Sequence, residues 1–196
     1  MRACILSGTF NPIHNGHIYM AEYALKNFDI NKILFIPAYI PPQKEFDPKL
    51  SVHKYKMVEL ATMNNKNFEV SDIEYKLGGK SYSYITIQEL YKNYSIDGKI
   101  NFIIGTDAFE KLDSWYESEK LRQIVEFIVF VRENNYVDGK YDFMREKGYS
   151  FKFAQMPYNN ISSTEIRQKI KTKQSISGLV PELVERYIND NDLYKD

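Results

Sequence analysis

Two histidines three residues apart, where an apolar run gives way to a glycine–proline turn, are the residues of this 196-residue chain best suited to chemistry on an anion. They lie in S-G-T-F-N-P-I-H-N-G-H, Ser7 to His17. Gly8 removes a side chain where the chain leaves the run, so that backbone can approach a phosphate, and Pro12 stiffens the turn. A helix beginning near Asn15 presents free amides and the positive end of its dipole at the same place. His14 and His17, at that helix start, fall on one side and face the same anion. Imidazole donors beside a phosphate chain are what transfer at phosphorus requires. The plainer alternative is that both rings cap and pack. Against it stands their concentration, since two of only three histidines sit at one junction.

A second candidate is I-S-S-T-E-I-R, Ile161 to Arg167. Ser162 and Glu165 have capping-box spacing, so the segment starts a helix whatever else it does. Ser163 and Thr164 add hydroxyls in the first turn, and Arg167 follows within one turn. Hydroxyls, amides and a guanidinium together make a phosphate cradle. By contrast G-G-K-S, Gly78 to Ser81, is a decoy: a P-loop needs glycine where Glu74 stands. No G-x-G-x-x-G occurs either.

Asp107 follows Gly105 at the end of another apolar run, where a carboxylate suits the cap of the next helix. Trp115 and Tyr116 sit in a polar loop with Asp113, Ser114 and Glu117, where a flat ring can stack on an aromatic ligand. His53 shares a helix with Lys54 and Lys56 and reads as part of a solvated basic face. Asp190, Asp192 and Asp196 lack the spacing of a metal site.

The elements that must position these residues follow from periodicity. Continuous apolar runs at 2–7, 32–37, 100–104 and 127–132 read as buried strands, with a weaker one at 151–155 and an alternating one from Phe68 to Tyr75. Helical patterns run to about Phe28, over 52–63, over 83–94, near 117–124 and 138–147, and over 162–171 and 181–190. A proline-rich loop spans Ala38 to Leu50. Apolar strands separated by helices predict an α/β domain with a doubly wound, mainly parallel sheet covered on both faces. Ligands of such sheets bind beyond the carboxyl ends of the strands, so the loops at 8–17, 37–44 and 105–116 are expected to converge.

Composition narrows the classes. Lysine plus arginine is 26 and aspartate plus glutamate 26, which argues against a polybasic nucleic-acid or membrane-surface binder. Cys4 is the single cysteine, so neither a disulfide within the chain nor a cysteine-rich zinc site is available. The chain enters a strand pattern at once, without a signal-peptide core or an apolar stretch of membrane-spanning length. A single cytoplasmic domain over 1–196 is expected, its C-terminal helices at 162–192 packing on the sheet and completing the site.

These motifs together resemble the H-x-G-H nucleotidyltransferases and, over nearly the whole length, the bacterial nicotinate-nucleotide adenylyltransferases. The narrowing segments are P-A-Y-I-P-P-Q-K (Pro37–Lys44), K-S-Y-S-Y-I-T (Lys80–Thr86), I-I-G-T-D (Ile103–Asp107), D-S-W-Y (Asp113–Tyr116) and the tail from Leu179 to Tyr194. The resemblance implies a Rossmann-like nucleotidyltransferase fold. It implies adenylyl transfer from ATP to nicotinate mononucleotide, giving the deamidated dinucleotide and pyrophosphate, with magnesium, in NAD synthesis. On that basis His14 and His17 bind phosphates and stabilise the transition state, while Lys44 and Arg167 hold the departing pyrophosphate. Gly8, Thr9, Phe10, Gly16, Asp107 and the Ile161–Thr164 turn complete the ATP side. Lys44, Tyr82, Ser83, Gly105, Asp107, Trp115 and Tyr116 form the mononucleotide side, with backbone around Tyr82, Ser83 and Trp115 receiving the carboxylate. Magnesium is expected on phosphates and water rather than on protein ligands.

The chain departs from the family pattern at Asn11 (commonly aspartate), Gln43 (often histidine), Lys80 (usually proline), Ser83 (threonine) and Ile85 (aspartate). The alternatives are an adenylyltransferase for nicotinamide mononucleotide or phosphopantetheine, or a non-catalytic nucleotide sensor. A homo-oligomer is a further possibility that one chain leaves open.

Overall fold

Apolar runs become neighbouring strands here because each has both faces covered, one by each layer of helices. The computed structural model describes residues 1–42, 47–131, 139–155 and 161–195. In chain order the elements are β1 (Ala3–Gly8), α1 (Asn15–Asn27), β2 (Lys32–Pro37), α2 (Pro48–Thr62), β3 (Phe68–Val70), α3 (Ile73–Leu77) and α4 (Ser83–Asn93). Then come β4 (Ile100–Gly105), α5 (Thr106–Phe109), a 3-10 turn at Leu112–Ser114, α6 (Ser118–Ile124), β5 (Val125–Val131), α7 (Asp142–Glu146), β6 (Phe151–Gln155), α8 (Ser163–Lys171) and α9 (Glu182–Asp190).

The sheet order is β3-β2-β1-β4-β5-β6, with every recorded pairing parallel. The chain winds outward from β1 to β3, then crosses to β4 on the other side of β1, which places the topological switch point between β1 and β4. β1 pairs with β2 through six residues to Gly8, but its register with β4 is recorded only at Cys4–Asn101 and Ile5–Phe102. The ladder at the switch point therefore gives out before the carboxyl end of β1.

Residues two apart on each strand share a layer. Cys4, Leu6, Ile33 and Phe35 pack with Met57 of α2, Ile166 of α8 and Val184 and Ile188 of α9. Ile5, Leu34, Phe102 and Phe127 pack on the other face with Leu90 of α4, Phe109 of α5 and Leu121 of α6. Each large apolar side chain fully buried in this way contributes roughly 1.5–3 kcal/mol of transfer free energy, so the C-terminal helices are part of the core. Burial pushes the Cys4 thiol up, away from the reactive thiolate. Among the described residues no helix is long and apolar enough to cross a membrane.

Three expectations are corrected. The strand expected over Phe68 to Tyr75 stops at Val70, and Ile73–Leu77 is helical. Ser71 Oγ accepts from Ile73 N at 3.4 Å, opening the turn, and Glu74 is drawn inward among polar partners. The loop expected to reach Leu50 yields to helix at Pro48, because Asp47 accepts from Lys49 N and Leu50 N and proline suits the first helical position. The basic face at His53 is also an interface: Lys54 is buried, and His53 Nδ1 lies 2.9 Å from Tyr187 Oη. α9 packs on α2 there, which the local sequence of α2 does not announce.

Candidate active site

The loop leaving β1 carries the first motif across the carboxyl edge of the sheet. Phe10 adopts φ +46° and buries its ring, 5.1 Å edge-on to His17. A Cβ on Gly8 would come within 3.2 Å of that ring, so Gly8 serves the placement of Phe10. Phe10 thus offers a ligand its backbone rather than its side chain.

The two imidazoles stack, centroids 3.7 Å apart and 28° between planes, but only His17 lines the neighbouring cavity. His14 is 8% exposed and lies behind it. Both rings were expected on one side facing the same anion; they do share a side, and of the two His17 is the one that reaches the cavity. His14 is the N-cap residue, with extended backbone (φ −144°), and its ring folds back over the helix start. Gly16 makes that possible: a Cβ there would lie 3.0 Å from His14 Nδ1. The missing side chain at Gly16 therefore makes room for the His14 ring.

The backbone N–H of His14 donates to His17 Nδ1 at 3.2 Å. A nitrogen that accepts cannot carry the proton, so neutral His17 holds it on Nε2 and is a donor there. The amides of α1 are less free than the motif implies. Asn15 N donates to Leu179 O and His17 N to His14 O, both at 2.9 Å.

α8 closes the same cavity, ≈ 340 Å³, lined by Thr9, Phe10, Asn11, His17, Ser163, Thr164 and Arg167. Arg167 Nη1 donates to Asn11 O at 2.7 Å and Nη2 to Thr164 Oγ1 at 3.3 Å. Ser163 Oγ donates to Pro12 O at 2.8 Å. Ser162 Oγ accepts from Glu165 N at 3.1 Å and is the helix cap. The expected hydroxyl cradle is therefore half committed to holding the loop. No carboxylate lines the cavity among the described residues, so its charged groups favour an anion.

A second cavity, ≈ 260 Å³, is lined by Pro41, Pro42, Ser81, Tyr82, Ser83, Ser114, Trp115 and Tyr116. The loop after β2, the start of α4 and the loop after β4 meet there, as the parallel order requires. Tyr82 and Tyr116 rings lie 4.6 Å apart, while Trp115 rests against Phe102 at 6.0 Å, its ring backed by core on one side. Asp113 holds this loop: it accepts from Tyr149 Oη at 2.8 Å and pairs with Lys147, which keeps its carboxyl below the usual range. Tyr82 is the N-cap of α4 without a side-chain hydrogen bond to its first turn.

Of the other expected residues, Asp107 is exposed in the first turn of α5, whose cap is Gly105, and neither of them lines these two cavities. Ile161 is partly buried against the first core layer, 3.9 Å from the Cβ position built on Gly16. Lys44 and Gln43 lie outside the described residues.

Two residues were missed by the sequence reading. Glu74 is buried, with Oε1 accepting from Thr86 Oγ1 at 2.9 Å and Oε2 from Tyr39 N at 3.3 Å. Burial raises its carboxyl, partly offset by the neighbouring polar groups of Ser81, Thr86 and Tyr39. It ties the loop after β2 to the start of α4, two walls of the aromatic cavity. The other is Tyr194, whose hydroxyl donates to Asn11 Oδ1 at 2.7 Å. No local spacing signals either, because their partners lie on other elements.

A parallel sheet whose switch point carries an imidazole, a guanidinium and a helix start around one anion-sized cavity defines the nucleotidyltransferase class. The family model described as cytidylyltransferase-like matches residues 5–169. The "Probable nicotinate-nucleotide adenylyltransferase" of Dictyoglomus turgidum is 40% identical, covering 99% of this chain and 96% of its own. The nicotinate-nucleotide adenylyltransferase of Bacillus subtilis is 34% identical, covering 97% of each. The chain belongs to the cytidylyltransferase-like family and, within it, to the nicotinate-nucleotide adenylyltransferases. The solved Plasmodium falciparum nicotinic acid mononucleotide adenylyltransferase complexed with NaAD shares the fold, with a TM-score of 0.79 at 21% identity over 98% of this chain and 97% of that one.

Gly16→Ala tests the packing behind His17. The added methyl must displace the His14 ring, and overpacking of this kind costs about 1–3 kcal/mol. Thermal denaturation is expected to show that loss. An unchanged melting temperature would mean that the ring has slack the geometry denies.

Proposed function

We propose that this chain transfers the adenylyl group of ATP to nicotinate mononucleotide, forming nicotinate adenine dinucleotide and pyrophosphate in NAD biosynthesis. Its family supports the reaction, and the pairing of one cationic cavity with one aromatic cavity on the same sheet edge supports the two substrates. The observation that carries the acid over the amide is the start of α4. Its first turn receives no side-chain cap and opens beside Tyr82, Trp115 and Tyr116. A carboxylate there gains from helix amides and dipole up to about 2 kcal/mol, roughly 30-fold, which a neutral carboxamide largely forgoes.

In the transfer, a phosphate oxygen of the mononucleotide bonds to the α-phosphorus of ATP as the bond from that phosphorus to the β-bridging oxygen breaks. Pyrophosphate leaves with the electron pair, and no proton need come from the protein. Positioning and charge stabilisation then supply most of the rate. His17 donates from Nε2 to the phosphates, and His14 holds His17 in that tautomer through its backbone amide. Arg167, fixed between Asn11 and Thr164, faces the departing pyrophosphate, a role shared with Lys44. Thr9 and Thr164 line the path of the triphosphate, and Trp115 stacks on the pyridine ring.

The donors of the phosphate cavity are neutral or cationic. They suit magnesium that would arrive on the substrate phosphates and would there offset negative charge. A cytoplasmic location suits a reaction that consumes ATP.

The test is pyrophosphate release from ATP with nicotinate mononucleotide, nicotinamide mononucleotide and phosphopantetheine side by side, the first expected to be fastest. Faster release with either of the others reassigns the substrate, and ATP binding without release from any would make the chain a sensor. His17→Ala is expected to lower kcat at least ~100-fold, the scale of one transition-state donor. Near-normal turnover removes His17 from the mechanism. Trp115→Ala should mainly raise KM for the mononucleotide. Trp115 is the only tryptophan, so quenching of its emission by that ligand reports the stack directly. Titration without quenching places the ring elsewhere.

A further inference from the structure

Tyr194 lies near the C-terminal end of the described chain, yet it reaches the loop of the first motif 183 positions away. Its hydroxyl donates to Asn11 Oδ1 at 2.7 Å, and the carbonyl of the same Asn11 accepts Arg167 Nη1 at 2.7 Å. Asn11 lines the phosphate cavity beside His17 and Arg167. With Oδ1 occupied by the tyrosine, the amide nitrogen is the end left to donate elsewhere. The tail thereby settles which way the amide faces.

Two further features distinguish this contact from simple docking of a chain end. Asp192 and Tyr194 have φ of +51° and +65°, left-handed backbone that side chains other than glycine's adopt at a cost. Leu193, between them, is 9% exposed and packs in the first core layer, so apolar anchorage of the tail does not need the tyrosine hydroxyl. Burial pushes the Tyr194 phenol up, with the Arg167 charge opposing only in part, so the group keeps its proton and remains a donor.

We propose that Tyr194 is a positioning residue of the ATP side: its hydroxyl orients the Asn11 amide so that Asn11 and Arg167 bind one phosphate chain together. The identity of that anion rests on the adenylyl-transfer reading; the coupling between tail and loop does not.

The experiment is direct titration of ATP, without second substrate, into the unaltered chain, Tyr194→Phe, Asn11→Ala and the double variant, with melting temperatures recorded for each. Loss of the hydroxyl is expected to raise the Kd for ATP about fivefold, the scale of one net hydrogen bond. Affinity for nicotinate mononucleotide should change less than about twofold, well inside that scale. Because Tyr194 acts through Asn11, the double variant should bind ATP no more weakly than Asn11→Ala alone. Unchanged ATP affinity in Tyr194→Phe, equal weakening toward both ligands, or independent effects in the double variant would each overturn the proposal. If Tyr194→Phe does not fold, Asn11→Ala decides: ATP affinity equal to that of the unaltered chain refutes the role of the amide. Pyrophosphate release by the unaltered chain separates the two readings, since ATP binding without turnover would defeat the transfer and leave the tail's role standing.

Discussion

A loop that must meet a polyanion cannot be left to hold its own shape, and this one is fastened from the far end of the chain. Ser163 and Arg167 of α8 bond the carbonyls of Pro12 and Asn11. Leu179 and Gly178 receive the backbone and side-chain nitrogens of Asn15. Tyr194 takes the side chain of Asn11. Beneath the loop, Phe10 anchors it in the core. Donors fixed before the ligand arrives need no reorganisation during reaction, and that is the source of electrostatic stabilisation at such sites.

This fastening changes the meaning of several polar groups. A hydroxyl whose proton is given to a carbonyl is not offering that proton to phosphate, and Ser163 is in that position. Arg167 has the opposite character: two of its nitrogens are bonded, which fixes the guanidinium plane and leaves its charge on the cavity. The second cavity is organised by a buried carboxylate instead. Glu74 joins Tyr39 N to Thr86 Oγ1, and Ser81 N donates to Ile40 O at 2.8 Å, so the proline-rich loop and the start of α4 form one wall. Opposite it, the Asp113 contacts with Tyr149 and Lys147 hold the Trp115 loop.

Much of the architecture was legible because burial on two faces writes itself as uninterrupted apolar residues. Ile33 to Pro37 and Phe127 to Val131 name their strands without help from context. Helix ends were legible where a cap was local, as at Ser162, and misjudged where proline suggested a loop, as at Pro48. The error at Ile73–Leu77 has a tertiary cause. Alternation over those residues suits a strand, but Glu74 finds its partners inside the fold only from a helix following a turn.

The chain's own order of residues determined the alternation of strand and helix, the parallel sheet it implies, and the identity of the groups at the strand ends, because these depend on spacing over a few residues. Only tertiary structure decided that His17 faces the cavity with His14 behind it, that Ser163 secures a loop, and that Tyr194 belongs to a site opened by Gly8. Those outcomes depend on which distant groups compete for each hydrogen bond and each volume, and such competition exists only once the two ends of the chain have packed on the same edge of the sheet.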